Sequence, residues 1–340
     1  MARSELSVDL AALRANVRRV SGLLGGSQLW AVVKADAYGH GAVDVARVAL
    51  AEGATALCVA TVGEGLALRG SFPEARILVM SASLDADVAA AREARLEVAV
   101  SQPPFPEGVP LHLELDTGMG RFGMADLPGE LPPGAVGLMS HFGTADVDRA
   151  FAELQLQRFL AAASAHPDLE AHIANSAAAV RIPQSRLTAA RVGLALYGLS
   201  PFGGDPRDDG LTPVLSWRSH LEQVKLLQLG ESTGYGRRFV AGGPTWIGLV
   251  PVGYADGFRR DLTGTKVLVA GERCPVVGTI SMDSFAVRLP RELERGEPVT
   301  LIGEGILAEE HARAADTITY EIVSQIRVRA DRVVRRAIDE

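Results

Sequence analysis

The 340-residue chain has only two cysteines, Cys58 and Cys274. Two thiols so far apart give no disulfide framework and no zinc-ligand spacing, so no metal site is expected. Aromatic residues are scarce at 5%, and each tyrosine or tryptophan in a polar setting is a candidate for more than packing. Lysine is rarer still. Lys34, Lys225 and Lys266 are three of 34 basic residues, too few to be surface filler. No apolar run approaches the roughly 20 residues of a membrane span. The opening Met1-Ala-Arg-Ser-Glu-Leu-Ser7 lacks the apolar core of a signal peptide. There is no positive excess either: the net charge is −7 and the pI about 5.6. That balance argues against nucleic acid or an anionic membrane as partner. The expectation is a cytoplasmic protein.

What the chain does have is an apolar share of 47%, ample for one large core and a smaller second one. Helical spacing predicts helices over 8–24, 43–51, 64–69, 85–94 and 149–166. Short apolar runs predict strands at 30–33, 56–61, 76–80, 96–100, 111–115, 136–141, 171–174 and 188–192. Eight strands, mostly separated by helices, imply parallel pairing and an N-terminal (β/α)8 TIM-like barrel, with a doubly wound open sheet as the alternative. The barrel gains support because Lys34, Arg121, His141, Asn175-Ser176 and Arg191 fall just after strands, where such barrels carry their sites. Near 201–213 the composition turns to Gly, Pro and Asp, a linker signature. Beyond it, β-rich runs at 221–227, 245–250, 266–270, 275–280, 286–289 and 299–302 predict a C-terminal, mostly antiparallel β domain. A short helix is expected at 309–315 and a terminal helix over the arginine-rich 327–336. The domains are drawn at 1–212 and 213–340, with the first few residues free to pack on the β domain.

Several residues invite chemistry. Trp30, Ala31, Val32 and Val33 form a strand that Lys34 ends. An ammonium group is costly to bury; desolvation lowers its pKa, and a neutral amine forms an imine with a carbonyl. A lysine snorkelling from a strand end is the plain alternative. In 111–123, alternation sets Leu111, Leu113 and Leu115 on one face and His112, Glu114 and Asp116 on the other. The glycines that follow let the loop approach a ligand closely. His141 ends another strand, where a histidine is more often structural. Ser176 sits where a helix N-cap belongs, and a helix N-terminus is also a phosphate site. Arg191 could be an ordinary ion-pair residue, and Tyr254, between glycines, a packing residue in a turn.

The run Ala31-Val-Val-Lys-Ala-Asp-Ala-Tyr-Gly-His-Gly41 resembles the cofactor-lysine signature of alanine racemases, the pyridoxal-phosphate enzymes that interconvert L- and D-alanine. Further matches at Asp116-Thr-Gly-Met-Gly-Arg121, Ala190-Arg-Val-Gly-Leu-Ala-Leu-Tyr-Gly198, Val250-Pro-Val-Gly-Tyr-Ala-Asp-Gly-Phe258, Thr279-Ile-Ser-Met-Asp-Ser284 and Thr319-Tyr-Glu321 extend the resemblance over nearly the whole chain. It implies pyridoxal 5'-phosphate (PLP) carried by Lys34. Arg121 would lie by the cofactor's phenolic oxygen and the substrate carboxylate. His141 would stack on the pyridine ring, and Arg191 would donate to its nitrogen with His172 behind. The phosphate would fall to Tyr38, Ser176, Tyr320 and the backbone of Gly193 and Leu194. Tyr254 would be the second acid/base, acting in the partner subunit's site of a homodimer. The Met282 N–H would bind the substrate carboxylate, with Asn175 and Asp283 in support. The product would be D-alanine for peptidoglycan.

One departure stands out. Many family members have a carbamylated lysine where this chain has Glu114. Glu114 is already an anion but shorter by about 3–4 Å, so activity is expected to be independent of bicarbonate. The rival readings are a racemase of serine or another amino acid, a non-catalytic PLP-binding carrier, and a PLP decarboxylase of similar two-domain build. The last should set an acidic group, not Arg191, against the pyridine nitrogen.

Overall fold

The computed structural model describes residues 2–81 and 85–339 and resolves into two compact units. One comprises Leu13–Phe202 with Gly210–Thr212. The other takes Gly203–Asp209, the chain from Pro213 onward and the first residues through Ala12.

The first unit is a nearly closed (β/α)8 barrel. Seven parallel strands pair in chain order: Gln28–Val32, Ala56–Val59, Ile77–Val79, Glu97–Val100, Leu111–Glu114, Ala135–Met139 and Glu170–His172. The eighth, Ala189–Val192, returns to pair with the first, Trp30 opposite Arg191. Hydrogen bonds from Thr188 N to Ala171 O and from Arg191 N to Ala174 O draw the seventh and eighth strands together. These strands are buried almost throughout, as parallel strands covered on both faces must be. That is why they read as plain apolar runs. Helices Ala42–Ala51, Val62–Arg69, Asp85–Glu93, Arg149–Ser164 and Ser176–Arg181 lie between strands. Among the described residues, the connections after Val100 and after Glu114 carry none; the first is proline-rich and the second glycine-rich, and both compositions break helices. The helix expected from residue 8 begins at Leu10, because Ser4–Asp9 is a strand. The Asp9 carboxylate accepts the Ala12 N–H at 2.8 Å.

The second unit is built on a nine-stranded sheet in the order Gln223–Leu227, Thr245–Val250, Phe285–Arg288, Glu272–Val277, Lys266–Val269, Pro298–Ile302, Leu215–His220, Ser4–Asp9, Val333–Ile338. Every pairing is antiparallel except the last. The terminal helix expected over 327–336 does not form there. Val333–Ile338 is an edge strand, parallel to Ser4–Asp9, a non-local pairing that overrides local helical preference. Its arginines Arg335 and Arg336 blunt the open edge. Helices Ala308–Ala314 and Thr319–Ser324 complete the unit.

Candidate active site

In the barrel unit, Lys34 leaves the first strand at its C-terminal end and is only partly exposed. Burial, reinforced by the Arg121 cation and opposed by Glu64, pulls its pKa below the usual lysine value. A larger share of neutral amine follows. The four residues after Lys34 form a left-handed turn, with φ of 51° to 53° from Ala35 through Tyr38. Polar groups pin it. Glu64 Oε1 accepts the Ala35 N–H at 2.7 Å while Oε2 accepts those of Ala60 and Thr61. Asp36 Oδ1 accepts the Ala42 N–H at 2.8 Å. The turn delivers Tyr38, buried, to Gly193, where a Cβ would sit 2.7 Å from the Tyr38 hydroxyl oxygen. Only glycine leaves that phenol its place.

Arg191 is the most deeply held cation here. Its Nη1 donates to His172 Nδ1 (2.6 Å) and to the His172 carbonyl (2.9 Å). Its Nη2 donates to the Ser140 carbonyl (2.7 Å) and reaches His141 Nδ1 (3.3 Å). Among the described residues no carboxylate pairs with it, so the ordinary ion-pair role is not what the fold gives it. Burial lowers its pKa, though a guanidinium starts too high to lose its proton. The His141 pKa falls to about 3, through burial and then the Arg191, Arg121 and Lys34 cations. His141 is therefore a neutral imidazole at working pH.

Ser176 opens the helix Ser176–Arg181, but the N-cap is Asn175, whose Oδ1 accepts the Ala178 N–H at 3.0 Å. Ser176 Oγ instead accepts the N–H groups of Gly193 (3.2 Å) and Ala195 (3.3 Å). A hydroxyl and backbone donors, including the segment that holds Leu194, thus gather at one spot beside Tyr38.

Glu114 is buried and accepts Ser101 Oγ at 2.8 Å. Burial raises its pKa against the pull of Ser101, Arg191 and Arg121. It makes no hydrogen bond to Arg121, which is exposed and lies 5.7 Å from the Phe122 ring centroid.

In the second unit, Tyr254 and Met282 sit on two clasped segments. Tyr254 N donates to Ser281 O (3.1 Å) and Ala255 N to Met282 O (3.0 Å). A Cβ on Gly253 would lie 2.3 Å from the Ser281 carbonyl oxygen. Asp256, buried, accepts the Gly253 N–H and a two-point ion pair from Arg332, which also reaches Asp283 at 2.8 Å. Both Tyr254 (39% exposed) and Met282 (52%) stand out from this rigid base. Tyr254 also lines a cavity of about 500 Å³ with Arg259, Arg260 and Arg327. Tyr320 lies in the helix Thr319–Ser324.

The donor set of the barrel unit fits PLP: an amine with depressed pKa, a neutral imidazole, an arginine without a counter-ion, and a cluster of hydroxyl and N–H groups suited to phosphate. Sequence reasoning missed the supports. Glu64 carried only a capping-box signal after Thr61. The Asp256–Arg332 pair, 76 residues apart, carried none.

The comparisons with known proteins cover both units. Models of the alanine racemase N-terminal and C-terminal domains match residues 8–201 and 214–334. The alanine racemase of Geobacillus stearothermophilus is 41% identical over 368 residues, 97% of this chain and 92% of its own length. That of Ligilactobacillus salivarius (strain UCC118) is 39% identical, covering 96% and 97%. Among solved structures, the alanine racemase from D-cycloserine producing Streptomyces lavendulae superposes with a TM-score of 0.92 at 34% identity, covering 100% of this chain and 98% of that one. With end-to-end matches in sequence and in fold, this chain is a member of the alanine racemase family.

Proposed function

We propose that the protein interconverts L- and D-alanine with PLP as cofactor, as a cytoplasmic homodimer supplying D-alanine for peptidoglycan. The observation that carries this reading is the Lys34 amine, biased towards its neutral form beside Arg121, in a chain that matches alanine racemases from end to end. PLP, when bound, supplies an electron sink for negative charge at the substrate's Cα. Lys34 holds the cofactor and moves a proton on one face of Cα. Tyr254, from a second copy of the chain, moves a proton on the other. Two fixed groups spare a single base from crossing the stereocentre. Arg121 and the Met282 N–H orient the substrate carboxylate. Tyr38, Ser176, Tyr320 and the backbone of Gly193 and Leu194 hold the cofactor phosphate. Arg191 would donate a hydrogen bond to the ring nitrogen without surrendering its proton, a guanidinium being too weak an acid to do so even when burial lowers its pKa. A ring nitrogen that receives a hydrogen bond but no proton would make the cofactor a shallower electron sink, which would favour return of the proton to Cα. His141 packs on the ring without adding a charge.

The test is an assay of the purified, PLP-loaded protein against a panel of L- and D-amino acids. Alanine is expected to be turned over in both directions and in preference to serine. A Lys34→Ala variant is expected to lose the imine absorbance band, and Tyr254→Phe to keep it with little L-alanine turnover. Cofactor binding without racemisation of any amino acid would favour the carrier reading, and preference for serine a different racemase.

A further inference from the structure

Behind Arg191 a line of hydrogen bonds continues through the barrel. His172 Nε2 meets His112 Nδ1 at 2.8 Å, and His112 Nε2 meets Glu97 Oε2 at 2.8 Å. Glu97 holds Arg76 Nε through both oxygens, at 2.8 and 2.9 Å, and Arg76 pairs in turn with Glu170. Glu97 and Glu170 begin their strands, at the end of the barrel opposite the one where Lys34 emerges. Both imidazoles are fully buried. Trp30 lies against them, at 5.7 Å from the His112 ring and 4.5 Å from that of His172. Gly137 makes the room, since a Cβ there would stand 2.2 Å from His112 Nδ1.

The direction of this line is forced. A guanidinium only donates, so His172 Nδ1, facing Arg191, is bare. Burial and then the Arg191 charge keep the His172 pKa well below the ordinary histidine value, so the ring is neutral and its one proton sits on Nε2. His112 Nδ1 must accept that proton, which leaves the His112 proton on Nε2, pointing at Glu97. Burial pushes the Glu97 pKa up, but hydrogen bonds from His112 and Arg76 outweigh it and hold the carboxyl ionised, so Glu97 only accepts. A fixed donor at one end and a fixed acceptor at the other exclude the reversed pattern.

We propose that Glu97 and His112 are positioning residues that fix the tautomer of His172 and thereby hold the Arg191 guanidinium in one orientation at the barrel mouth. The proposal rests on the reading above, in which Arg191 serves bound PLP. An amide at position 97 would both donate and accept. It would relax the acceptor end alone: the reversed pattern turns a His172 N–H toward Arg191, so it forms only where the guanidinium swings away from His172 Nδ1.

The test is nitrogen-15 NMR of histidine-labelled protein, with and without PLP, alongside kinetics. In the parent protein His112 and His172 are both expected to be neutral and protonated on Nε2 alone. Glu97→Gln is expected to give His172 an Nδ1-protonated population and to lower kcat about tenfold with KM changed less than about twofold. Should that variant not fold, Gly137→Ala, which displaces His112, is expected to move the same His172 signal and kcat in the same direction. An Nδ1-protonated His172 in the parent overturns the proposal. So does an unchanged His172 signal in a folded variant, or a changed signal with parental turnover. A parent that racemises nothing sinks the proposed function instead, and the NMR pattern then decides the orientation claim alone.

Discussion

At the scale of single residues, burial decides the charge states at the barrel mouth, and it acts with opposite sign on acid and base. Glu114 has its pKa raised from the ordinary 4.5, burial being the largest cause. Below that ordinary value, folded and unfolded chains both carry the proton, and the carboxyl costs the fold nothing. As pH rises through the folded value, ionising a buried group costs stability. Glu114→Gln keeps an acceptor for Ser101 Oγ. It is expected to leave the melting temperature unchanged below pH 4.5 and to raise it at about pH 8. Scanning calorimetry at both values checks this, and a fall at the higher pH would mean that attraction to Arg191 and Arg121 outweighs burial. His141 runs the other way. Its pKa drops from 6.5 to about 3, so the unfolded chain binds the proton first. The stability His141 contributes is whole above 6.5 and is lost as pH falls through about 3. His141→Gln is therefore expected to flatten the fall of the urea midpoint across that window, and a slope identical to the parent's would rule out a neutral His141.

At the scale of elements, the left-handed turn from Ala35 to Tyr38 is where the chain stores strain. Four consecutive non-glycine residues at positive φ cost about 1–2 kcal/mol each. They persist because Glu64 and His40 hold their backbone and the Asp36 carboxylate ties the turn to the Ala42 N–H. Asp36→Ala is expected to lose about 1–2 kcal/mol in urea unfolding and to weaken PLP binding by loosening Tyr38. Asp36→Asn, which keeps an oxygen acceptor, should recover both, and equal losses in the two variants would show that charge rather than the hydrogen bond matters. Nothing in Ala35-Asp-Ala-Tyr38 announces such a turn, because its cause, Glu64, lies on a later helix. The barrel strands were legible for the opposite reason: burial on both faces writes an apolar run into each. Lys34, His141 and Arg191 were legible as polar residues that end those runs. Ser4–Asp9, Leu215–His220 and Val333–Ile338 were not, since polar residues interrupt each and it is defined only by a partner far away in the chain. Alternation did place His112 and Glu114 on one face of their strand, opposite the leucines, but the link from His112 to His172 exists only once the sheet curls.

At the scale of the whole molecule, the two proposed bases belong to different compact units, Lys34 to the barrel and Tyr254 to the β-rich unit. Tyr254 and Met282 stand exposed on a braced turn, a geometry suited to reaching into a neighbouring copy. If each site draws its lysine from one copy and its tyrosine from another, Lys34→Ala and Tyr254→Phe chains damage different halves of it. Co-expressed in equal amounts and paired at random, they form mixed dimers about half of the time, and each mixed dimer has one intact site and one doubly damaged one. About a quarter of the parental activity should return, although either variant alone is nearly inactive. If both bases came from the same chain, every site in every pairing would carry one lesion, and co-expression would restore nothing. Racemase activity of the co-purified mixture, set against each variant alone, separates the two arrangements.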